Sequence, residues 1–254
     1  MILPLEIIKY YLVAKGRHGI HSPFAYDFID KCVRIKLDDE FIKKRNLVYS
    51  TLIHSTKIIT IQDFGAGSKK MGNKRLVSSI FKNSSSKGKY ADLLYRISNF
   101  YKPNHVLELG TSLGIGTIHL QAGHEKSSIT TIEACEETLK IAEENFEKFN
   151  FKVTSKLNKF DEFISSLKEE KFDLIYIDGH HDGIALKRYI ENLLPYIHNE
   201  TLLLLDDIRW SNSMLKAWEE LTKSELFHVS IDLFRIGILT PRKQQAKEHF
   251  VFRY

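Results

Sequence analysis

Two apolar runs of this 254-residue chain stop at carboxylates. IYIDGHHD (175–182) reaches Asp178, and LLLLDDIRW (202–210) reaches Asp206 and Asp207. If the runs are neighbouring strands, three acids converge on one rim. Clustered carboxylates repel one another and call for a cation. A hard divalent ion such as Mg2+ takes oxygen ligands and keeps positions open for substrate oxygens. Asp178, Asp206 and Asp207 are therefore candidate metal ligands. The competing reading is a helix cap, but the next helix begins near Ser211, too far on for Asp206, and a cap does not use two successive acids.

Two glycine-bearing loops compete for a ligand. DFGAGSKKMG fills 63–72 and LELGTSLGIG fills 107–116. The second has Gly110, Gly114 and Gly116 between a buried strand and a helix. SSITTIEA then forms the next strand and ends near Glu133, 23 residues after Gly110. A glycine turn brings bare backbone to a ligand, and an acid closing the second strand can take two ribose hydroxyls. The 63–72 loop follows only a short strand (57–64), and a lysine-rich helix is expected after it, with no second acid-tipped strand. The 107–116 loop is thus the expected adenosine-type site, and 63–72 a basic turn carrying Lys69, Lys70, Lys74 and Arg75.

The elements around these residues follow from periodicity. From 104 onward strands and helices alternate through five βα units with continuous apolar strands, which implies a parallel sheet covered on both faces. FHVSIDL and RIGILT are joined too closely for a crossover and must be antiparallel. The expected fold class is α/β: a doubly wound, mostly parallel seven-stranded sheet, with an antiparallel terminal hairpin and a mainly helical N-terminal appendage. The expected division is 1–100, 101–240 and a tail at 241–254. In the first part Ser22-Pro23 starts a helix over 24–35, a charged helix follows over 38–46, and another spans 89–101.

Composition narrows the class. The chain is 43% apolar and 27% charged, ordinary for a globular protein, and no run has the ~18–20 apolar residues that span a bilayer. The start, MILPLEIIKYYLVAKG, is broken by Glu6 and Lys9 and reads as an amphipathic helix, not a signal peptide. Cys32 and Cys135 form no zinc or disulfide pattern, so a reducing, cytoplasmic setting is expected. Residues 1–100 hold 18 Lys+Arg against 8 Asp+Glu, and 101–254 hold 19 against 24. A basic front half suits an acidic small-molecule acceptor or nucleic acid, or serves only as a solvated surface. No membrane partner is expected, and a homodimer stays open.

Taken together, residues 104–240 resemble the class I S-adenosylmethionine-dependent methyltransferases. Glu108 two residues before the first glycine, the terminal hairpin and the acid-tipped strands separate this resemblance from nicotinamide and flavin sites. It implies a Rossmann-like methyltransferase domain at 101–240. Glu108, Gly110, Thr111, Ser112, Gly114 and Gly116 would hold the methionine end of the cofactor, Glu133 the ribose, and Asp178 would contribute to the same site. The family often has Gly-Asp after its third strand; here LNKFDEF supplies Asn158, Lys159 and Asp161 instead.

Within that family the acids resemble the metal-dependent small-molecule O-methyltransferases. The resemblance gives Asp178, Asp206 and Asp207 as metal ligands, although that branch often has asparagine where Asp207 stands. It gives His181 as the base that deprotonates a metal-bound hydroxyl, with Asp178 also catalytic. His180 is expected to point elsewhere, and Asp182 either orients an imidazole or starts the helix at 183. The acceptor expected is a sugar or phenolic metabolite. A macromolecular acceptor, RNA or protein, docked on the basic front half is the alternative, although no Asn/Asp-Pro-Pro-Tyr/Phe or Pro-Cys motif is present. GRHGIHSPFAYDF (16–28), with Arg17, His18 and His21, is either a substrate wall or a packed helix start. Trp210 walls the acceptor pocket or belongs to the core.

Overall fold

A computed structural model describes residues 4–16, 22–62, 73–84 and 86–254. The loop at 63–72 and Arg17, His18 and His21 lie outside the described residues. The front segment holds α1 (Pro4–Val13), α2 (Pro23–Asp27), a π-helical turn (Phe28–Cys32) and α3 (Asp39–Ile53). As the Ser22-Pro23 pair predicts, the Ser22 hydroxyl accepts from Ala25 N. Helix α3 runs past the expected 38–46 because Val48 and Leu52 continue its buried face.

Strands β1 (Ile58–Ile61) and β2 (Asn73–Leu76) form a separate antiparallel hairpin, followed by α4 (Val77–Ser84). The expected lysine-rich helix after 63–72 is therefore corrected. Asn73–Leu76 pair with β1 from Ile61↔Asn73 to Ile58↔Leu76, and tertiary pairing overrides local propensity there.

Helix α5 (Lys89–Tyr101) leads into the main sheet. Its units are β3 (His105–Leu109) with α6 (Ile115–Gly123), β4 (Ser128–Glu133) with α7 (Glu136–Phe149), and β5 (Thr154–Leu157) with α8 (Phe160–Ser166). Then come β6 (Phe172–Ile177) with α9 (Gly183–Leu193), and β7 (Ile197–Leu205) with α10 (Asn212–Lys223). The chain finishes with β8 (Val229–Leu233), β9 (Ile236–Thr240) and β10 (Glu248–Val251). All five βα units and the β8–β9 hairpin are those read from the pattern.

The sheet order is β10-β8-β9-β7-β6-β3-β4-β5, with β9 antiparallel to both of its neighbours. Among the described residues the main sheet has eight strands, one more than expected, because the tail pairs in parallel with β8 from Glu248↔Val229 to Val251↔Asp232. Order reverses at β3, which pairs with β4 on one side and β6 on the other. In doubly wound sheets the ligand crevice lies at that reversal, beyond the carboxyl ends of the strands.

One face of the sheet is covered by α8, α9 and α10, through residues such as Phe163, Tyr189 and Trp218. The other is covered by α5 and the front segment: Leu93, Leu94 and Ile97 share a core with Phe24, Phe28, Cys32, Leu174 and Ile238. Full burial of each such Leu, Ile or Phe contributes about 1.5–3 kcal/mol. Part of the front hundred residues is therefore a layer of the main domain, joined to the sheet by its own core side chains. Among the described residues, no helix is long and apolar enough to cross a membrane.

Candidate active site

The glycine turn after β3 brings the two halves of the rim together. Gly110 has φ +112°, and a Cβ on it would lie 2.3 Å from the Asp178 carbonyl oxygen. No larger residue fits, so β3 can pass its backbone directly against the end of β6. Beside this contact opens a cleft of about 430 Å³, with Gly110, Ser112, Glu133, Asp178 and His180 in its walls. Glu133 is anchored by backbone amides: Ser112 N donates to Oε2 at 2.8 Å, and Ala134 N and Cys135 N donate to Oε1 at 2.9 and 3.0 Å. Ile61 and Arg75 also reach this cleft, so the hairpin that carries the 63–72 loop borders it.

Other residues expected to hold the cofactor stand behind this wall. Thr111 is buried and bonds Thr131, and Gly114 turns the chain into α6 with φ +79°. Glu108 is buried beneath the turn, where the hydroxyls of Thr117 and Thr131 donate to its Oε2. A Cβ on Gly116 would lie 2.7 Å from its Oε1, so that glycine makes room for the carboxyl. Glu108 Oε1 has no hydrogen-bond partner among the described residues. Burial pushes the Glu108 carboxyl up to about 7, despite the two threonine bonds that pull it down.

The three acids converge as expected, but around a fourth residue. Arg235, in the turn between β8 and β9, grips Asp206 with two bonds, Nε to Oδ1 at 2.8 Å and Nη2 to Oδ2 at 2.7 Å. Its Nε also lies 3.1 Å from Asp207 Oδ1. Asp206 Oδ1 further accepts from Asp207 N at 2.7 Å, and Tyr176 Oη and Ser86 Oγ each lie 3.0 Å from Oδ2. The same two hydroxyls lie 3.1 and 3.3 Å from Asp178 Oδ2. A carboxylate has about four lone-pair sites, and those of Asp206 are filled by protein donors. This donor set does not fit a divalent ion, and among the described residues no group of three His, Cys, Asp or Glu side chains is arranged to hold one. The expected ligands Asp178, Asp206 and Asp207 thus share one rim with Arg235.

Electrostatics follow the same arrangement. Enclosure of the Asp178 carboxyl, then the Asp206 charge, pushes Asp178 well above the usual range. Burial works against ionised Asp206 too, but the Arg235 charge and its bonds outweigh burial and hold Asp206 low. Asp207 is raised by burial and by Asp206. Asp206 and Arg235 thus form a buried ion pair beside Asp178.

His181 Nε2 stands 3.9 Å from Asp207 Oδ2, and its ring lies 5.7 Å from that of Trp210. Trp210 is 46% exposed, which rules out the core. His180, in the cleft wall, bonds the Tyr189 hydroxyl at 2.7 Å through Nδ1. Asp182 caps α9, accepting from Ile184 N and Ala185 N, so it starts the helix. Ser112, His180, His181 and Asp207 all have positive φ without being glycine. Such strain persists where surrounding structure over-determines it, and it gathers at this rim. Arg235, Tyr176 and Ser86 were not expected from sequence. The one available signal was a basic residue in the β8–β9 turn.

Comparisons with known proteins fit this geometry. Residues 107–208 match a methyltransferase domain family. Over 128 residues the chain is 32% identical to the O-methyltransferase hkm8 of Aspergillus hancockii, covering 46% of this chain and 49% of that protein. The chain thus spans about half the length of this curated relative. The fold is similar to the S-adenosylhomocysteine-bound methyltransferase PaMTH1 of Podospora anserina (TM-score 0.59, 14% identity, 87% of this chain and 97% of that one). It is also similar to the O-methyltransferase of Bacillus cereus in complex with S-adenosylhomocysteine (TM-score 0.56, 18% identity, 85% and 97%).

Proposed function

We propose that this chain, which carries a methyltransferase domain of the class I fold, transfers a methyl group from S-adenosylmethionine to an oxygen of a small hydroxylated metabolite. The observation that carries the reading is the cleft at the sheet's reversal point, walled by Gly110, Ser112 and Glu133 on one side and by Asp178 on the other. Its residues suit the cofactor: glycine backbone for close approach, and an anchored carboxylate for a ribose diol. When bound, the cofactor supplies a methyl group on a positively charged sulfur.

The protein's own part is to position and to move one proton. Gly110 and Ser112 hold the methionine end, and Glu133 takes the ribose. His181 removes the proton of the acceptor hydroxyl, a task suited to imidazole near neutral pH. Asp207 lies beside it, with Oδ2 3.9 Å from Nε2. Trp210, exposed beside His181, offers a flat wall for the acceptor. Alignment of acceptor and methyl in one line does most of the remaining work.

The test is transfer of labelled methyl from S-adenosylmethionine into pools of phenols, sugars and RNA. Label in a small-molecule pool supports the proposal. Label confined to RNA, or to added protein, contradicts it and points to docking on the basic front half.

A further inference from the structure

We propose that Arg235 is the resident cation of the acidic rim, so that methyl transfer runs without a divalent metal and is restricted to acidic hydroxyls of the phenol class. This rests on the methyltransferase reading above and adds to it the identity of the cation and the class of acceptor.

The first support is occupancy. The guanidinium lies between Asp206 and Asp207, with nitrogen–oxygen distances of 2.7, 2.8 and 3.1 Å, and it is bidentate on Asp206. A planar fork of this kind matches carboxylate geometry better than any ammonium. Ser86 and Tyr176 complete the shell of Asp206 at 3.0 Å. A second cation would have to break these bonds and bear the repulsion of the first.

The second support is anchoring. The Arg235 carbonyl accepts from Ile208 N at 3.0 Å, which ties the β8–β9 turn to the end of β7. The guanidinium also lies 5.7 Å from the centre of the Tyr90 ring. Its side chain is only 25% exposed. Arg235 is thus held at the rim by its backbone as well as by its charge, and it acts as a positioning residue for Asp206 and Asp207.

The chemical consequence concerns the acceptor. A bound divalent metal can lower the pKa of a coordinated water from 15.7 to about 7, and a guanidinium does not coordinate oxygen in that way. An alcohol, left near the value of water, holds its proton about six units more tightly than a phenol at about 10. A base working without a metal therefore suits the second and not the first. In the transfer the phenolic proton passes to the His181 imidazole, and an oxygen lone pair forms the O–CH3 bond. The C–S bond breaks with its electron pair going to sulfur. The products are the methyl ether, S-adenosylhomocysteine and an imidazolium that sheds its proton to water.

Mn2+ titration followed by electron paramagnetic resonance tests the first half, on the wild type, Arg235→Ala and Arg235→Lys. The expected result is at least about tenfold tighter Mn2+ binding by Arg235→Ala than by the other two. Equal affinity in all three, or tight binding by the wild type, overturns the proposal. A merely structural arginine would not gain a metal site on removal. Transfer assays on the wild type with and without EDTA, using equal amounts of phenols and sugars, test the second half and need no variant to fold. EDTA-insensitive labelling of phenols is expected; EDTA-sensitive labelling, or preference for sugars, overturns it. If S-adenosylhomocysteine binds by calorimetry and no pool is labelled, the methyltransferase reading fails, while the Mn2+ titration still judges Arg235 by itself.

Discussion

At the end of β4, Glu133 fixes both carboxylate oxygens on backbone amides and lines an open cleft. At the end of β7, Asp206 is 1% exposed and is enclosed by Arg235, Tyr176, Ser86 and the next amide. Both are acids on strand ends of one sheet, at one rim. They differ in what the neighbouring elements send across. Beside β4 lie a glycine turn and helix α7, which leave room. Beside β7 lies an antiparallel partner whose turn delivers a guanidinium. The position of an acid at a strand end therefore does not tell what it binds; the neighbouring strand decides.

The largest effect expected from testing this contrast is catalytic. His181→Ala removes the base beside the closed half and should lower turnover by about 10²–10⁴-fold, leaving affinity for S-adenosylhomocysteine in the open half unchanged. Equal losses in both would merge the halves into one unit. Next is stability. Arg235→Ala leaves Asp206 buried and uncompensated and should cost about 3–5 kcal/mol in denaturant unfolding, much of it recovered by adding Asp206→Asn. Loss without recovery would mean that Arg235 packs and does not neutralise.

Glu108 tests the wall between the halves. Its folded carboxyl sits at about 7, above the ordinary 4.5 of a glutamate, so its contribution to stability is present below about pH 4.5 and is lost as pH rises through about 7. Glu108→Gln should therefore raise stability at pH 8 by up to about 3 kcal/mol, and the gain should vanish near pH 4. A pH-independent difference would show that the cause is packing. The smallest effect is Glu133→Gln, which should weaken S-adenosylhomocysteine by about 1.5–3 kcal/mol in calorimetry with turnover at saturation little changed. Unchanged affinity would remove Glu133 from the site.

The open half was legible in the sequence because it is local. Gly110, Ser112 and the strand before them lie within a few residues, and Glu133 follows one βα unit later. The sheet's five βα units and the β8–β9 hairpin were equally visible in periodicity. The closed half was legible only in part. Asp178, Asp206 and Asp207 announced themselves at strand ends, but Ser86, Tyr176 and Arg235 come from three distant stretches that only topology joins. Counting acids alone left out the cation that a later turn carries to Asp206. Strands β2 and β10 were missed for a related reason: each is four residues long and exists through pairing with another strand, β1 or β8. Ile61 and Arg75, on the two strands that flank 63–72, line the cleft beside the 107–116 turn.

The most direct test of the account is a calorimetric titration of the wild type with S-adenosylhomocysteine, carried out in EDTA and repeated in Mg2+. The account predicts saturable binding at one site per chain with the same affinity in both buffers. No binding in either buffer, or binding that requires Mg2+, would contradict it.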